Sequence, residues 1–378
     1  MLSGNVNLTL MIGPLVPIPA PRVVMDALNE VTVTSSDDGN SGFQLSFSLS
    51  TQSPLHTLFL LTPSAVAMPV LRVVIVATVK GTANVIMDGV VTNQQVSPGS
   101  KSAQAVLTIT GKDLTQVMDS ADFSGLPFPA MPAEGRVALL LLKYAIFGVL
   151  PLIIPSVLVD VPLPTAKIEA QKGTDLKYIQ RLAERVGYVF YIDPGPVPGA
   201  SIAYWGPQIK IGVPQPALNV NMDGHSNVES LSFTFDNSNH KLPAYYYYNE
   251  LTKVTIAIPL PPITPLSPPL GLIPPIPTDL TPVADNLSKL PPAQGVMQGL
   301  AAAAKWAEVV SGEGELDVVR YGRLLKARQL VGVRGAGLAF DGLHYVKSVT
   351  HKIKRGEYKQ SFKLSRNGLI STLPRVPA

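Results

Sequence analysis

The chain of 378 residues contains no cysteine. That excludes a disulfide framework, thiolate metal ligation and a cysteine nucleophile together. Charge is scarce as well: Asp, Glu, Lys and Arg make up 15% of the residues and aromatics 7%, too apolar a mixture for a disordered polymer. No basic residue precedes Arg22, so the apolar segment 1–21 lacks the charged start of a secretory signal. One stretch, Val137–Leu158, has the length to cross a bilayer, but Lys143, Pro151 and Pro155 interrupt it. A buried helix fits that stretch better than a membrane anchor, which stays as an alternative reading.

Proline (36) and glycine (30) are plentiful, which favours many short strands joined by turns. Phe43, Leu45, Phe47 and Leu49 alternate with polar residues, the period of a strand with one wet face. Val70–Thr78 reads as a buried strand. Asp88-Gly89 between Val85–Met87 and Val90–Thr92 reads as a two-residue hairpin turn. Ala105, Leu107 and Ile109 continue the alternation. Helices are expected over Ala133–Phe147, over Thr174–Val186 (capped by Thr174 or Asp175 and stopped by Gly187) and over Gln298–Val310. Further strands are expected at Tyr188–Ile192, Leu231–Phe235, Tyr245–Asn249 and within Gly342–Leu364. Pro259–Pro292 holds 12 prolines and no charge before Asp279, which reads as an extended apolar arm laid on a partner surface or as a surface insertion.

Two pieces of the second half echo the first. Leu45-Ser-Phe-Ser-Leu-Ser50 resembles Leu231-Ser-Phe-Thr-Phe-Asp236, and Leu107, Ile109, Thr110 and Leu114 match Phe362, Leu364, Ser365 and Leu369 in the same order. Together they suggest a β-barrel folded twice. Charge is segregated: Arg320–Ala378 carries 13 Lys/Arg against 2 acids, and the rest carries 17 against 24. Opposite ends of this kind suit head-to-tail contact between copies better than nucleic acid, since no segment has the density of a nucleic-acid arm.

Chemistry is hard to find. Gly335-Ala-Gly337 lacks the rest of a phosphate loop and reads as a turn; no Gly-x-Ser-x-Gly elbow occurs. The five histidines (His56, His225, His240, His344, His351) show no metal-ligand spacing, and the odd separation of His344 and His351 puts them on opposite faces of a strand. Asp37-Asp38 and Glu313/Glu315 read as solvated charge in a loop and a Gly-rich turn. No cofactor, metal site or catalytic residue is assigned.

Gly173-Thr-Asp-Leu-Lys-Tyr-Ile-Gln-Arg-Leu-Ala-Glu-Arg-Val-Gly-Tyr-Val-Phe-Tyr-Ile192 resembles the helix-then-strand signature of phage late control gene D proteins and of the N-terminal part of VgrG. Tyr345–Arg366 is similar to the last hairpin of that family: Val349, His351 and Ile353 lead into Gly356, and Tyr358, Gln360, Phe362 and Leu364 return. Tyr204-Trp205-Gly206-Pro207 adds to the likeness. The resemblance implies a structural baseplate hub of a contractile injection system or phage tail, assembled in the bacterial cytoplasm as part of a particle, without catalysis. It also implies a homotrimeric ring between a hexameric inner tube and a trimeric spike. Three copies of a twice-folded barrel would present six barrels to the tube.

The OB-fold and needle that VgrG carries after this hairpin are missing here, so the spike is expected to be a separate protein. The partners implied are the chain itself, the inner tube protein, that spike and other baseplate proteins, with no nucleic acid and no membrane contact. The fold expected is mainly β with α+β insertions: two tail-tube-like barrels plus small helix-containing domains. The boundaries expected are an N-terminal extension (1–20), a first barrel (21–132), a helical and α/β middle domain (133–218), and a second barrel (219–378) carrying the arm 259–292 and a helix 298–310. Interface residues expected on an exposed strand edge and its hairpin are Tyr358, Gln360, Phe362, Leu364, Lys352, Lys354 and Arg355. A tail-borne cell-wall hydrolase is the rival reading.

Overall fold

The computed structural model describes residues 6–39, 41–49, 70–98, 105–156, 169–236, 241–249, 252–261, 266–273, 279–282 and 292–373. Six strands come first: β1 (Val6–Gly13), β2 (Leu28–Ser36), β3 (Gly42–Leu49), β4 (Arg72–Val79), β5 (Thr82–Ser97) and β6 (Ala105–Asp113). They pair side by side as β1-β4-β5-β6-β3-β2. A middle section holds α1 (Ala133–Leu142), β7 (Val149–Ile153), α2 (Asp175–Arg185), β8 (Val189–Pro194) and β9 (Ser201–Gly206). Then follow β10 (Gln215–Asn219), β11 (Ser230–Phe235), α3 (Pro292–Trp306), β12 (Val310–Asp317), β13 (Leu330–Arg334), β14 (Gly342–Lys354) and β15 (Glu357–Arg366). These strands pair as β10-β13-β14-β15-β12-β11.

Each pairing of the first set therefore recurs in the second. The repeat extends to its irregularities. β5 bulges between Val91 and Asn93 against β6, and β14 bulges between Val346 and Ser348 against β15. Beside each bulge the backbone makes the same bond, Val91 N to Leu71 O and Val346 N to Gln329 O, both 2.9 Å. One strand departs: β1 runs antiparallel to β4, whereas β10 runs parallel to β13. β2 pairs with β14, so the two sets share one sheet. Apolar residues on its inner side, from Val33 and Phe47 to Val349 and Phe362, form one core.

The duplication is real, but the sequence echo matched the wrong strands. Leu45–Ser50 opens in β3, whose counterpart is β12, while Leu231–Asp236 opens in β11, the counterpart of β2. The rows across four strands set the correspondence. Val33, Phe43, Gly111 and Val91 lie in one row; Phe233, Gly312, Leu364 and Val346 lie in the matching row. Leu107 then corresponds to Gln360, two residues from the match made above.

Other expectations change too. Residues 6–13 are an integral strand and no extension. Asp88-Gly89 makes no turn: β5 runs straight through it, and the turn lies at Lys80-Gly81, both with positive φ. The reason is local. Asp88 is buried against Arg72, with Nε–Oδ1 2.7 Å and Nη2–Oδ2 2.6 Å, and Ser201 Oγ donates to it at 2.9 Å. A Cβ on Gly89 would stand 2.2 Å from the Lys112 carbonyl oxygen.

Glu313 and Glu315 lie in β12, a strand and no turn; Gly312 is bare because the Phe233 ring occupies the space of its Cβ, 2.6 Å away. The bulge also restores parity, so His344 and His351 both face inward, 0% and 5% exposed. The third helix begins at Pro292 and ends at Trp306, since Val309 and Val310 are already buried in the sheet region. The described parts of the proline arm lie on their own chain. Gly271–Ile273 pairs with Leu369–Ser371, Asp279–Pro282 pairs with Lys241–Ala244, and Leu270 packs on Leu330 and Tyr345. Its residues 262–265, 274–278 and 283–291 lie outside the described residues.

The middle section has its own core. Thr174 Oγ1 accepts from Lys177 N and caps α2, as its sequence implied. Ile179, Leu182 and Trp205 pack with Val137, Leu140 and Leu141 of α1. Leu114, Met118 and Phe128 join this core, so it begins before residue 133, and Leu218 joins the sheet core instead. The apolar run 137–158 breaks at Gly148 (φ 69) into a helix of ten residues and a strand. Among the described residues no helix is long and apolar enough to cross a membrane.

Candidate assembly surface

Apart from the bulges and the buried end of β15, residues along β2, β3, β14 and β15 alternate between the core and an outer face of hydroxyls, amides and paired charges. Thr34 and Thr350 meet there across the β2–β14 junction, Oγ1 to Oγ1 3.1 Å. Lys363 pairs with Glu313 at 2.9 Å and Lys359 with Glu229 at 2.8 Å. The Lys359 ammonium is held above its usual range, first by its hydrogen bond to Glu229 and then by Glu357. The carboxylates Glu229, Glu313 and Glu315 are thus committed to lysines across neighbouring strands.

The residues expected at an interface divide. β15 is no edge: β12 and β14 flank it on both sides. Tyr358, Gln360, Phe362 and Leu364 are all buried, so the expectation that this strand pairs between subunits is corrected. Gln360 instead ties down a loop, accepting from Leu325 N at 3.0 Å and donating to Leu325 O at 2.9 Å. Tyr358 Oη lies 2.8 Å from His351 Nδ1 inside the sheet. Burial pushes His351 down to about 4, and burial followed by Arg366 pushes His344 down to about 3, so both rings are neutral. Lys352, Lys354 and Arg355 are exposed near the hairpin tip, where Gly356 takes φ 82. Lys354 Nζ reaches Glu30 at 3.6 Å, and Arg355 donates to Asp26 O, so the tip clasps the first set of strands.

Two half-buried charge clusters hold the parts together. Arg328 donates to Asp193 and to Ser36 O and lies 4.1 Å from the Tyr191 ring centre, joining both strand sets to the middle section. Lys347, the bulged residue of β14, pairs with Glu308 at 3.0 Å, and Lys210 pairs with the same carboxylate. Burial alone would raise Glu308, but the two lysines bring it below its usual value.

What sequence reasoning missed is where, among the described residues, strand edges lack a neighbour. In the order given above β11 ends the sheet, pairing among the described residues with β12 alone. On β5, residues 93–97 pair with β6 on one side, and β4 pairs only up to Val90 on the other. Neither 93–98 nor 230–235 carries a charged residue. The signal was available in that absence.

No family model matches the chain, and no curated protein matches it. Solved structures do. The tail protein from Neisseria meningitidis MC58 is 14% identical with a TM-score of 0.61, covering 97% of this chain and 98% of that one. The 43 kDa tail protein of prophage MuSo2 from Shewanella oneidensis is 13% identical with a TM-score of 0.60, covering 95% and 98%. A Francisella PdpA–VgrG complex, half-lidded, gives 10% identity and a TM-score of 0.60 over 99% of this chain and 60% of that one. At such identities the likeness is one of fold, shared along nearly the whole chain.

Proposed function

We propose that this chain is a structural, non-catalytic component of a phage-tail-like baseplate, and within it the hub: a homotrimeric ring that joins the hexameric inner tube to a separate trimeric spike. The observation that carries this reading is the six-strand pairing order occurring twice in one chain. A trimer of such chains offers six equivalent strand sets to a sixfold tube and three identical chains to a threefold spike. The fold shared with two tail proteins over almost their full length supports the setting.

The partners that follow are a second and third copy, the inner tube protein, the spike and neighbouring baseplate proteins, with no nucleic acid. Assembly would take place in the bacterial cytoplasm. Imaging of the purified chain, with and without tube protein, tests this. Threefold rings with a central opening are expected; a chain that stays monomeric under both conditions, or that forms rings of another symmetry, overturns it.

A further inference from the structure

We infer that the open edge of β11 adds to the open edge of β5 on a second copy of this chain, in the register that β2 and β14 already display within one copy. The inference rests on the ring reading above and names the residues that would close the ring.

The argument comes from the repeat. β2 and β11 occupy equivalent places, as do β14 and β5, and within the chain β2 lies along β14 from Ser36↔Ser348 to Glu30↔Lys354. Replacing each strand by its counterpart gives a junction absent among the chain's described residues, where β11 ends one side of the shared sheet and the 93–97 stretch of β5 lies towards the other. Its antiparallel pairs are Asn93 with Asp236, Gln94 with Phe235, Gln95 with Thr234, Val96 with Phe233 and Ser97 with Ser232.

Burial points the same way. In the internal junction the inward residues Val33 and Val349 are 0% and 1% exposed. On the open edges Val96, facing inward beside Leu107, is 45% exposed, and Phe235 is 42% exposed. These apolar side chains sit at sheet edges with no strand on their outer side among the described residues, where a neighbouring strand would cover them. Edges that must stay unpaired are normally guarded by lysine, proline within the strand or a covering loop. Here both edges are uncharged from 93 to 98 and from 230 to 235. The contact is heterologous, each copy giving one edge of each kind, so it propagates until a ring closes.

The absence of cysteine makes the test clean. In the internal junction the Thr34 and Thr350 hydroxyl oxygens lie 3.1 Å apart, and the corresponding pair is Thr234 with Gln95. The full chain carrying Thr234→Cys and Gln95→Cys, mildly oxidised, is expected to give covalent trimers on a non-reducing gel. Either single variant alone should give none, and a mixture of the two singles should give dimers. The register-shifted pair Thr234→Cys with Asn93→Cys should cross-link at least tenfold less. Phe235→Asp, at an exposed position, should weaken self-association at least tenfold in sedimentation while leaving the melting temperature of the monomer unchanged.

Oligomers that form without cross-linking the double variant overturn this junction and leave the ring reading standing. Cross-linking of Thr234→Cys by itself overturns it in favour of a symmetric β11–β11 contact. Unaltered association of Phe235→Asp also overturns it. A wild-type chain that never associates overturns the ring reading as well.

Discussion

His351 shows how a single side chain sets the response to acid. Its ring is buried beside Tyr358 Oη, and burial holds its folded value at about 4 against an ordinary 6.5. Between these values the unfolded chain takes up a proton that the folded chain refuses. Stability is therefore complete above pH 6.5 and falls as pH drops towards 4, by up to about 1.4 kcal/mol per pH unit from this one group. His344, pushed to about 3, adds a term of the same sign. Asp113 works against them: burial first raises it from 3.8 to about 6, so the folded form holds the extra proton and gains stability as pH falls through that window. Urea unfolding of His351→Gln at pH 7 and pH 5 is expected to show a smaller acid loss than the wild type, by roughly 1–2 kcal/mol over the interval. An equal loss in both would mean that the ring is not buried neutral.

At the level of strands, the repeat is conserved in pairs of residues and not in single positions. Where the first set places Phe43 opposite Gly111, the second places Gly312 opposite Leu364; Leu45 with Ile109 becomes Gly314 with Phe362. In the first case a large and a small side chain trade places across the ladder; in the second a glycine faces the larger ring of Phe362. This is why a positional comparison of the two halves misaligned β3 with β11. Gly312→Ala should collide with the Phe233 ring and cost about 1–3 kcal/mol, and adding Phe233→Val, the residue type at Val33, should recover most of it. Additive losses in a double-mutant cycle would contradict the trade.

Legibility followed the same physics. The alternation of β3, the cap and apolar stripe of α2 and the β14–β15 hairpin could be read, because each depends on neighbours close in sequence. Asp88-Gly89 misled, because the buried partner that keeps Asp88 inside a strand is Arg72, on another strand. The glycines of β12 misled because the rings that fill their space belong to β11 and β15. Of the residues expected at an interface, the exposure of Lys352, Lys354 and Arg355 was legible. The burial of Tyr358, Gln360, Phe362 and Leu364 was not, since it depends on β12, whose glycine-rich sequence does not read as a strand.

In the whole molecule the two strand sets meet at β2 and β14, and Thr34 touches Thr350 although 316 residues separate them. Contacts of such separation must wait for most of the chain. During synthesis the first set can gather its own six strands, but the outer edge of β2 stays bare until β14 leaves the ribosome. An exposed strand edge of this kind, rich in Val and Thr with Glu30 as its one charge, invites pairing with other nascent chains. A version of the protein stopped after Arg334 is therefore expected to be found mostly in the insoluble fraction, and supplying the segment 335–378 in trans should shift it towards the supernatant. If the shortened chain proves as soluble as the full one, the closing hairpin is not the guard of that edge. The late arrival of β14 makes its synthesis the step before which the sheet shared by the two strand sets cannot close.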